Sequence, residues 1–276
     1  MSEGRPTERW LKAISTPKKQ GEATGHSAAP AEGEEEQPTR RRGIFLLPNL
    51  ITTAALFCGF YAIVAAMNGR YNAAAIAVFA AMVLDAADGR VARITRTQSA
   101  FGAEYDSLSD MVAFGVAPAL VAFSCAVSTL GQLGWVATFV YMACAALRLA
   151  RYNVAGSLTS FTGLASPSAA AVVASTVWTL EEYRVAGEAI SPTIAAVLAG
   201  ILALLGLLMV SNFTYFSPKM LNIKGRVPFI TMVVVALGFA VVFADPPRVL
   251  LGLFAVYALS GPVQHVWEKL RKTEAD

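Results

Sequence analysis

Charge is scarce in this sequence. Asp, Glu, Lys and Arg make up 15% of its 276 residues, against roughly 25% in an average soluble domain. Hydrophobic residues account for 55% and the mean hydropathy is +0.53, which excludes an ordinary soluble globule and indicates a polytopic membrane protein. Histidine and cysteine are scarce too. His26 lies in a polar stretch and His265 near the C-terminus, so neither offers itself as a catalytic base. Cys58, Cys125 and Cys144 fall inside apolar runs without short metal-ligand spacing, and they imply neither a disulfide framework nor a thiolate metal site. The net charge is only +3, with basic residues scattered among loops, so the sequence calls for no nucleic-acid partner. Residues 1–42 lack the apolar core of a signal peptide and are rich in Glu, Lys, Arg, Pro and Gly. They read as a disordered cytoplasmic tail.

What is present is a series of apolar runs, each close to the roughly 20 residues that span a hydrocarbon core. The expected fold is all-α, a polytopic membrane bundle of about eight transmembrane helices, with six as the alternative. The eight fall at about 44–67, 71–93, 104–128, 132–153, 166–184, 190–210, 227–244 and 247–268. The membrane domain then covers 43–268, followed by a short cytoplasmic tail over 269–276. Basic residues set the orientation. Arg40–Arg42, Arg90, Arg93, Arg96, Arg148, Arg151, Lys219, Lys224, Arg226, Lys269, Arg271 and Lys272 fall on one side, and Arg70, Arg184 and Arg248 on the other. Both termini are therefore expected in the cytoplasm, at the inner (cell) membrane.

Against this apolar background the stretch Asp85–Asp110 stands out, because a charge in the bilayer centre costs roughly 2.5–3.5 kcal/mol on insertion scales. Asp85 and Asp88 are three apart and Asp106 and Asp110 four apart, so each pair shares a helix face. The first pair is expected to end one helix and the second to open the next, with a polar turn over Ile94–Ala103. A hairpin would then gather four carboxylates at the cytoplasmic boundary. Four such groups repel one another, and two hard divalent cations, Mg²⁺ or Mn²⁺, would neutralise their formal charge. A two-metal site can clamp a phosphoryl group through an in-line displacement. The competing readings are ion pairs with Arg90 and Arg93, and an ion-coupled transporter. A transporter is expected to carry its charges at the midplane of broken helices in inverted repeats, and neither feature is visible here.

Read in order, the stretch is Asp85, two residues, Asp88-Gly89, two residues, Ala92-Arg93, eight residues, Gly102, three residues, Asp106, three residues, Asp110. This resembles, position for position, the signature of the CDP-alcohol phosphatidyltransferase family of integral membrane enzymes. The resemblance implies that Asp85, Asp88 and Asp106 bind the divalent metals, and that Asp110 adds to the metal site and acts as general base. It also implies that Gly89, Ala92 and Gly102 leave room for a cytidine nucleotide, that Asp88 and Arg93 face its phosphates, and that the enzyme is a homodimer embedded in membrane lipid.

The resemblance fixes the donor class, a CDP-linked lipid, with CDP-diacylglycerol as the expected donor, and leaves the acceptor open. Later segments resemble the branch of the family that uses L-serine: Leu147–Asn153, Gly163–Ala170 and Leu208–Ser211, leading on to Tyr215, Ser217 and Lys219. The chain departs from that branch at Ala165, Ser168 and Pro218. Ser166 and Pro167 read as the N-cap and first residue of a helix, and a helix N-terminus attracts anions. Arg148, Arg151, Ser166 and Ser168 are thus the candidate serine-binding residues. The expected reaction transfers the phosphatidyl group to the serine hydroxyl, giving phosphatidylserine and CMP by single displacement. Sister reactions with glycerol 3-phosphate, an inositol phosphate or choline are the alternatives.

Overall fold

In the computed structural model, the residues described are 46–95, 97, 99–155, 162–184, 190–213, 215 and 229–273. The expected tail over 1–42, together with Arg96, Ser217, Pro218, Lys219, Lys224 and Arg226, lies outside the described residues. The described part is mostly helical, and no strand occurs among the described residues. Its elements are α1 (Leu46–Met67), α2 (Tyr71–Thr95), α3 (Ala100–Asp110), a π-helical segment over Met111–Val116, α4 (Ala117–Cys125), a 3₁₀ turn over Val127–Leu130, α5 (Gln132–Ala155), α6 (Ser166–Tyr183), α7 (Pro192–Val210), α8 (Phe229–Ala244) and α9 (Pro246–Thr273). A helix stands in each of the eight stretches read from the sequence. Five of the helical stretches are long and apolar enough to cross a membrane, over Leu47–Met67, Ala100–Cys125, Gln132–Val154, Pro192–Val210 and Pro246–His265. This is a multi-pass membrane protein of the all-α class.

Small side chains allow the helices to approach closely. Ala62, Ala74, Ala75 and Ala81 of α1 and α2 are buried in one core with Phe114, Tyr141, Leu164, Leu198 and Leu202. In lipid, association depends on such close packing rather than on apolar burial alone. Helix α2 packs on α1 and α6, α5 on α7, and α6 on α9.

Three boundaries depart from expectation, each for a local reason. The hairpin turn is shorter than Ile94–Ala103, because α2 continues to Thr95 and α3 begins at Ala100. Ser99 is extended (φ −132°, ψ 154°) and its Oγ accepts from the Gly102 amide at 2.9 Å, which caps α3 a turn earlier than expected. Asp85 and Asp88 therefore sit within α2 and Asp106 within α3, while Asp110 is the last residue of α3, at the junction with the π-helical segment. The rod expected over 104–128 is also not uniform. Pro118 has no amide hydrogen for the carbonyl of Phe114; the buried Tyr141 hydroxyl donates to that carbonyl at 3.0 Å instead, and the backbone runs as a π-helix over Met111–Val116. Last, the N-cap of α6 is Ala165, making Ser166 the first helical residue and Pro167 the second. Ser166 does not cap its helix because its hydroxyl accepts from Arg148 at 2.8 Å.

The basic residues expected on the far side collect away from the aspartates. Tyr71 opens α2, and Asp85 lies fourteen residues on, about 21 Å at the helical rise. Arg184 lies 5.9 Å over the Tyr71 ring, and Arg248 lies 5.0 Å over that of Tyr183 while pairing with Asp245.

Candidate active site

The hairpin brings the carboxylates together as the spacing implies. Asp85 and Asp88 from α2 and Asp106 from α3 each offer an oxygen within 4.8 Å of the others. Asp110 sits one turn beyond Asp106 with its carboxyl against that of Asp85. Asp88 is 4% exposed, and its Oδ2 accepts from the Thr52 hydroxyl at 2.7 Å. The Thr52 carbonyl in turn accepts from Ser109 at 3.2 Å, which ties α1 to α3 across the site. Thr53 and Tyr105, 2.9 Å apart, form a second tie, and Ser107 reaches Asn153 of α5 at 3.1 Å.

Among the described residues no ion pair joins a basic side chain to the cluster. There, ion pairs join Arg184 to Glu181 and Arg248 to Glu182 and Asp245, all remote from the aspartates. Arg93 is exposed and its Nε donates to the carbonyl of Gly89 at 2.8 Å, so the ion-pair reading finds no support. Asp106 Oδ1 is buried without a hydrogen-bond partner. A buried anionic oxygen left without a donor is costly, and hard oxygen donors at this separation suit a divalent cation. The donor set therefore fits Mg²⁺ or Mn²⁺.

Beside the cluster lies a cavity of about 290 Å³. Gly89, Ala92 and Arg93 line it from α2, and Gly102, Ala103 and Asp106 from α3. A methyl group at Gly102 would press on Ser99 Oγ at 3.1 Å and Asn49 Oδ1 at 3.4 Å. Gly102 thus fits closely against Ser99 and Asn49 at the cavity wall. Pro48, Asn49 and Thr52 of α1 complete the wall, and these were not among the residues singled out from the sequence. Their signal was present: Asn49, Thr52 and Thr53 are polar positions three and four apart in an otherwise apolar run.

The candidate acceptor residues form a second group. Arg148 is 8% exposed; its Nη1 donates to Ser166 Oγ, its Cζ stands 4.8 Å over the Tyr152 ring, and its Nε is buried without a partner. It lies within electrostatic reach of Asp110, which connects the two groups. Arg151 differs in kind. Its Nη2 donates to the Thr162 carbonyl at 2.9 Å, and its Nη1 to the Val210 carbonyl at 3.3 Å and to Asn212 Oδ1 at 3.4 Å. A cation on the last carbonyls of α7 is well placed for the helix dipole. The loop it braces is held further by Gly163, whose φ of +80° favours glycine and whose amide donates to the Phe213 carbonyl at 2.8 Å. Ser168 is partly buried on the first turn of α6 and outside these hydrogen bonds. Tyr152, whose hydroxyl donates to Thr162 O at 2.7 Å, joins the group without having been picked out as a candidate.

The profile of the CDP-alcohol phosphatidyltransferase family matches residues 45–213. The chain belongs to this family. It is 34% identical over 222 residues to a protein of Helicobacter pylori (strain J99 / ATCC 700824) named CDP-diacylglycerol--serine O-phosphatidyltransferase, covering 78% of this chain and 90% of that one. A Methanocaldococcus jannaschii protein of the same name is 33% identical over 189 residues, covering 68% of this chain and 82% of its own length. One from Bacillus subtilis (strain 168) is 37% identical over 124 residues, covering 45% and 70%. The family is generally dependent on a divalent metal, in keeping with the aspartate cluster.

Proposed function

We propose that this membrane-embedded transferase moves the phosphatidyl group of CDP-diacylglycerol to the hydroxyl of L-serine, releasing CMP. The observation that carries the reading is the union of the aspartate cluster, its buried unpartnered Asp106 oxygen and the small-residue cavity at one place. The names of the relatives support serine as the acceptor. In the candidate acceptor group Arg151 commits its two Nη nitrogens to carbonyls and to Asn212 while Arg148 Nη1 donates to Ser166, and the Nε of each is buried without a hydrogen-bond partner. A guanidinium fork suits the carboxylate of serine, an anionic group that choline lacks.

In the mechanism, Gly89, Ala92 and Gly102 admit the cytidine, and Arg93 and Asp88 border its phosphates. Asp85, Asp88, Asp106 and Asp110 would hold two divalent ions, Mg²⁺ or Mn²⁺, which when bound offset charge on the pyrophosphate. Arg148 holds the serine carboxylate beside the N-terminus of α6, with Ser166 fixing the guanidinium and Ser168 close on the same turn. Asp110 takes the proton of the serine hydroxyl, whose oxygen attacks the phosphorus attached to diacylglycerol. The bond from that phosphorus to the CMP oxygen breaks, and CMP leaves with the electron pair. A single displacement is favoured, because among the described residues no Ser, Cys or His activated by a neighbouring base stands in the site. The site would face the cytoplasm at the inner membrane, supported by Arg90, Arg93, Arg148 and Arg151 at the aspartate end. All eight helical stretches would then cross or enter the bilayer. Assembly as a homodimer rests on the resemblance alone.

The test is CMP release by purified protein in mixed micelles of CDP-diacylglycerol, given L-serine, glycerol 3-phosphate, an inositol phosphate or choline. Release is expected with L-serine. Release with one of the others and none with serine would overturn the acceptor assignment and leave the donor standing. Ion flux in liposomes without CMP chemistry would overturn both.

A further inference from the structure

The helix break that follows Asp110 is held from two sides. Met111–Val116 runs as a π-helix starting from Asp110. A π turn takes up more residues than an α turn, and a difference of one residue is about 100° of rotation. Two glycines give the wide turn its room: a side chain at Gly59 of α1 would come within 2.8 Å of Ala113 Cα, and one at Gly115 would meet Ala145 Cβ of α5 at 3.3 Å. Thr52 and Gly59, two turns apart on α1, thus meet Ser109 and Ala113 on either side of Asp110. From α5 the Tyr141 hydroxyl donates to Phe114 O at 3.0 Å, and both side chains are fully buried. Tyr141, Ala145 and Arg148 are four and three apart and share one face of α5. A second proline makes an instructive comparison. Pro262 leaves the carbonyl of Ala258 without its amide, the Tyr215 hydroxyl donates to that carbonyl at 3.0 Å, and α9 stays α-helical throughout. A proline and its tyrosine thus do not by themselves widen a helix; at Pro118 the close packing of α1 and α5 on the segment accompanies the wider turn.

We propose that Tyr141 is a positioning residue for Asp110: its hydrogen bond to Phe114 O locks the π turn, and the turn sets the direction in which Asp110 meets the carboxylates of α2. The proposal rests on the reading that Asp110 is the general base. Phe114 is buried in the segment, and Pro118 denies its carbonyl an amide. Without the hydroxyl that carbonyl would stand unpaired in an apolar core, where no water supplies a substitute. The segment would relieve this by moving toward another register, and Asp110, joined directly to Met111, would turn with it. The start of α3 is held separately, through Ser109 on the Thr52 carbonyl and Tyr105 on Thr53, so the cavity beside Gly102 is expected to keep its shape.

The experiment measures CMP release at saturating divalent metal, with L-serine and CDP-diacylglycerol varied separately, and the thermal midpoint in detergent, for the full chain and for Tyr141→Phe, Pro118→Ala, the double variant Tyr141→Phe/Pro118→Ala and Asp110→Asn. Tyr71→Phe is the control, because it removes another tyrosine hydroxyl from a backbone carbonyl, that of Ser124 at 2.8 Å, at the end of α2 far from the aspartates. Tyr141→Phe is expected to lower kcat about tenfold, the scale of a buried carbonyl left unpaired, with the CDP-diacylglycerol KM near wild type. Tyr71→Phe is expected to keep kcat near wild type even where its midpoint falls as far. In the Pro118→Ala background Phe114 O has an amide again, so Tyr141→Phe is expected to cost nothing further there. A wild-type kcat in Tyr141→Phe, beside a loss in Asp110→Asn, overturns the proposal and spares the Asp110 reading. Equal kcat losses in Tyr141→Phe and Tyr71→Phe overturn it as a general effect of packing, and a further loss on adding Tyr141→Phe to Pro118→Ala overturns the route through Phe114. Wild-type turnover in Asp110→Asn removes the base reading, and this proposal with it.

Discussion

The Thr52 hydroxyl is the sharpest handle on the aspartate cluster, because it touches a proposed metal ligand without being one. It donates to Asp88 Oδ2 at 2.7 Å while Asp88 is 4% exposed. In Thr52→Val the shape is kept and the donor lost. A hydrogen bond to a charged group contributes about 1.5–3 kcal/mol, equivalent to roughly 10- to 150-fold in an equilibrium constant. Outer partners of metal ligands independently carry about 10- to 100-fold in metal affinity or activity. The two routes agree, so the Mg²⁺ or Mn²⁺ concentration giving half-maximal CMP release is expected to rise by about 10- to 100-fold, with kcat at saturating metal largely retained. The assay is a metal titration of purified wild type and Thr52→Val at saturating CDP-diacylglycerol and L-serine. A superimposable titration would refute the reasoning, since Asp88 would then owe nothing to Thr52. A loss of kcat that no metal concentration restores would refute it as well, by making Thr52 part of the chemical step.

Asp110→Asn is expected to fold and bind CDP-diacylglycerol while kcat falls by about 10²- to 10⁴-fold, the usual contribution of a positioned base; steady-state turnover beside a nucleotide-binding measurement checks it, and wild-type turnover would remove Asp110 from that role. EDTA is expected to abolish CMP release and either Mg²⁺ or Mn²⁺ to restore it, with full activity after exhaustive chelation as the contrary result. Gly163→Ala forces a side chain onto a backbone with φ +80° and toward the Met209 carbonyl, and strain of this kind costs about 1–3 kcal/mol; a lower midpoint in detergent-solubilised thermal unfolding is expected, and an unchanged midpoint would show that the loop relaxes freely.

The sequence carried the site further than it carried the fold. Eight positions at fixed spacing located a cluster that the folded chain assembles from α2 and α3. Such spacing is legible because helical geometry converts it directly into a shared face. Helix ends were less legible. Ser99 looks like any loop serine until its Oγ is seen on the Gly102 amide, and Ser166 has the signature of a cap yet gives its hydroxyl to Arg148. In both cases a tertiary or local hydrogen bond decided between equal candidates. Tyrosines were the least legible. Tyr141 and Tyr215 each donate to a carbonyl that a proline leaves without its helical partner, and the pairing joins residues far apart in sequence. The prolines signal that a donor is missing and do not say where the substitute comes from. Arg148 and Arg151, three apart and alike in sequence, separate only when their partners are seen, one on a serine hydroxyl and the other on the end of α7.

The central claim is that one cluster transfers phosphatidyl from CDP to serine. The most direct measurement supplies isotopically labelled L-serine and CDP-diacylglycerol to purified wild type and to Asp106→Asn, and quantifies labelled phosphatidylserine and CMP together by mass spectrometry. Equal molar yields of the two products in wild type, and loss of both in Asp106→Asn, are predicted. CMP formed without labelled lipid, or labelled phosphatidylserine formed undiminished by Asp106→Asn, would contradict the account.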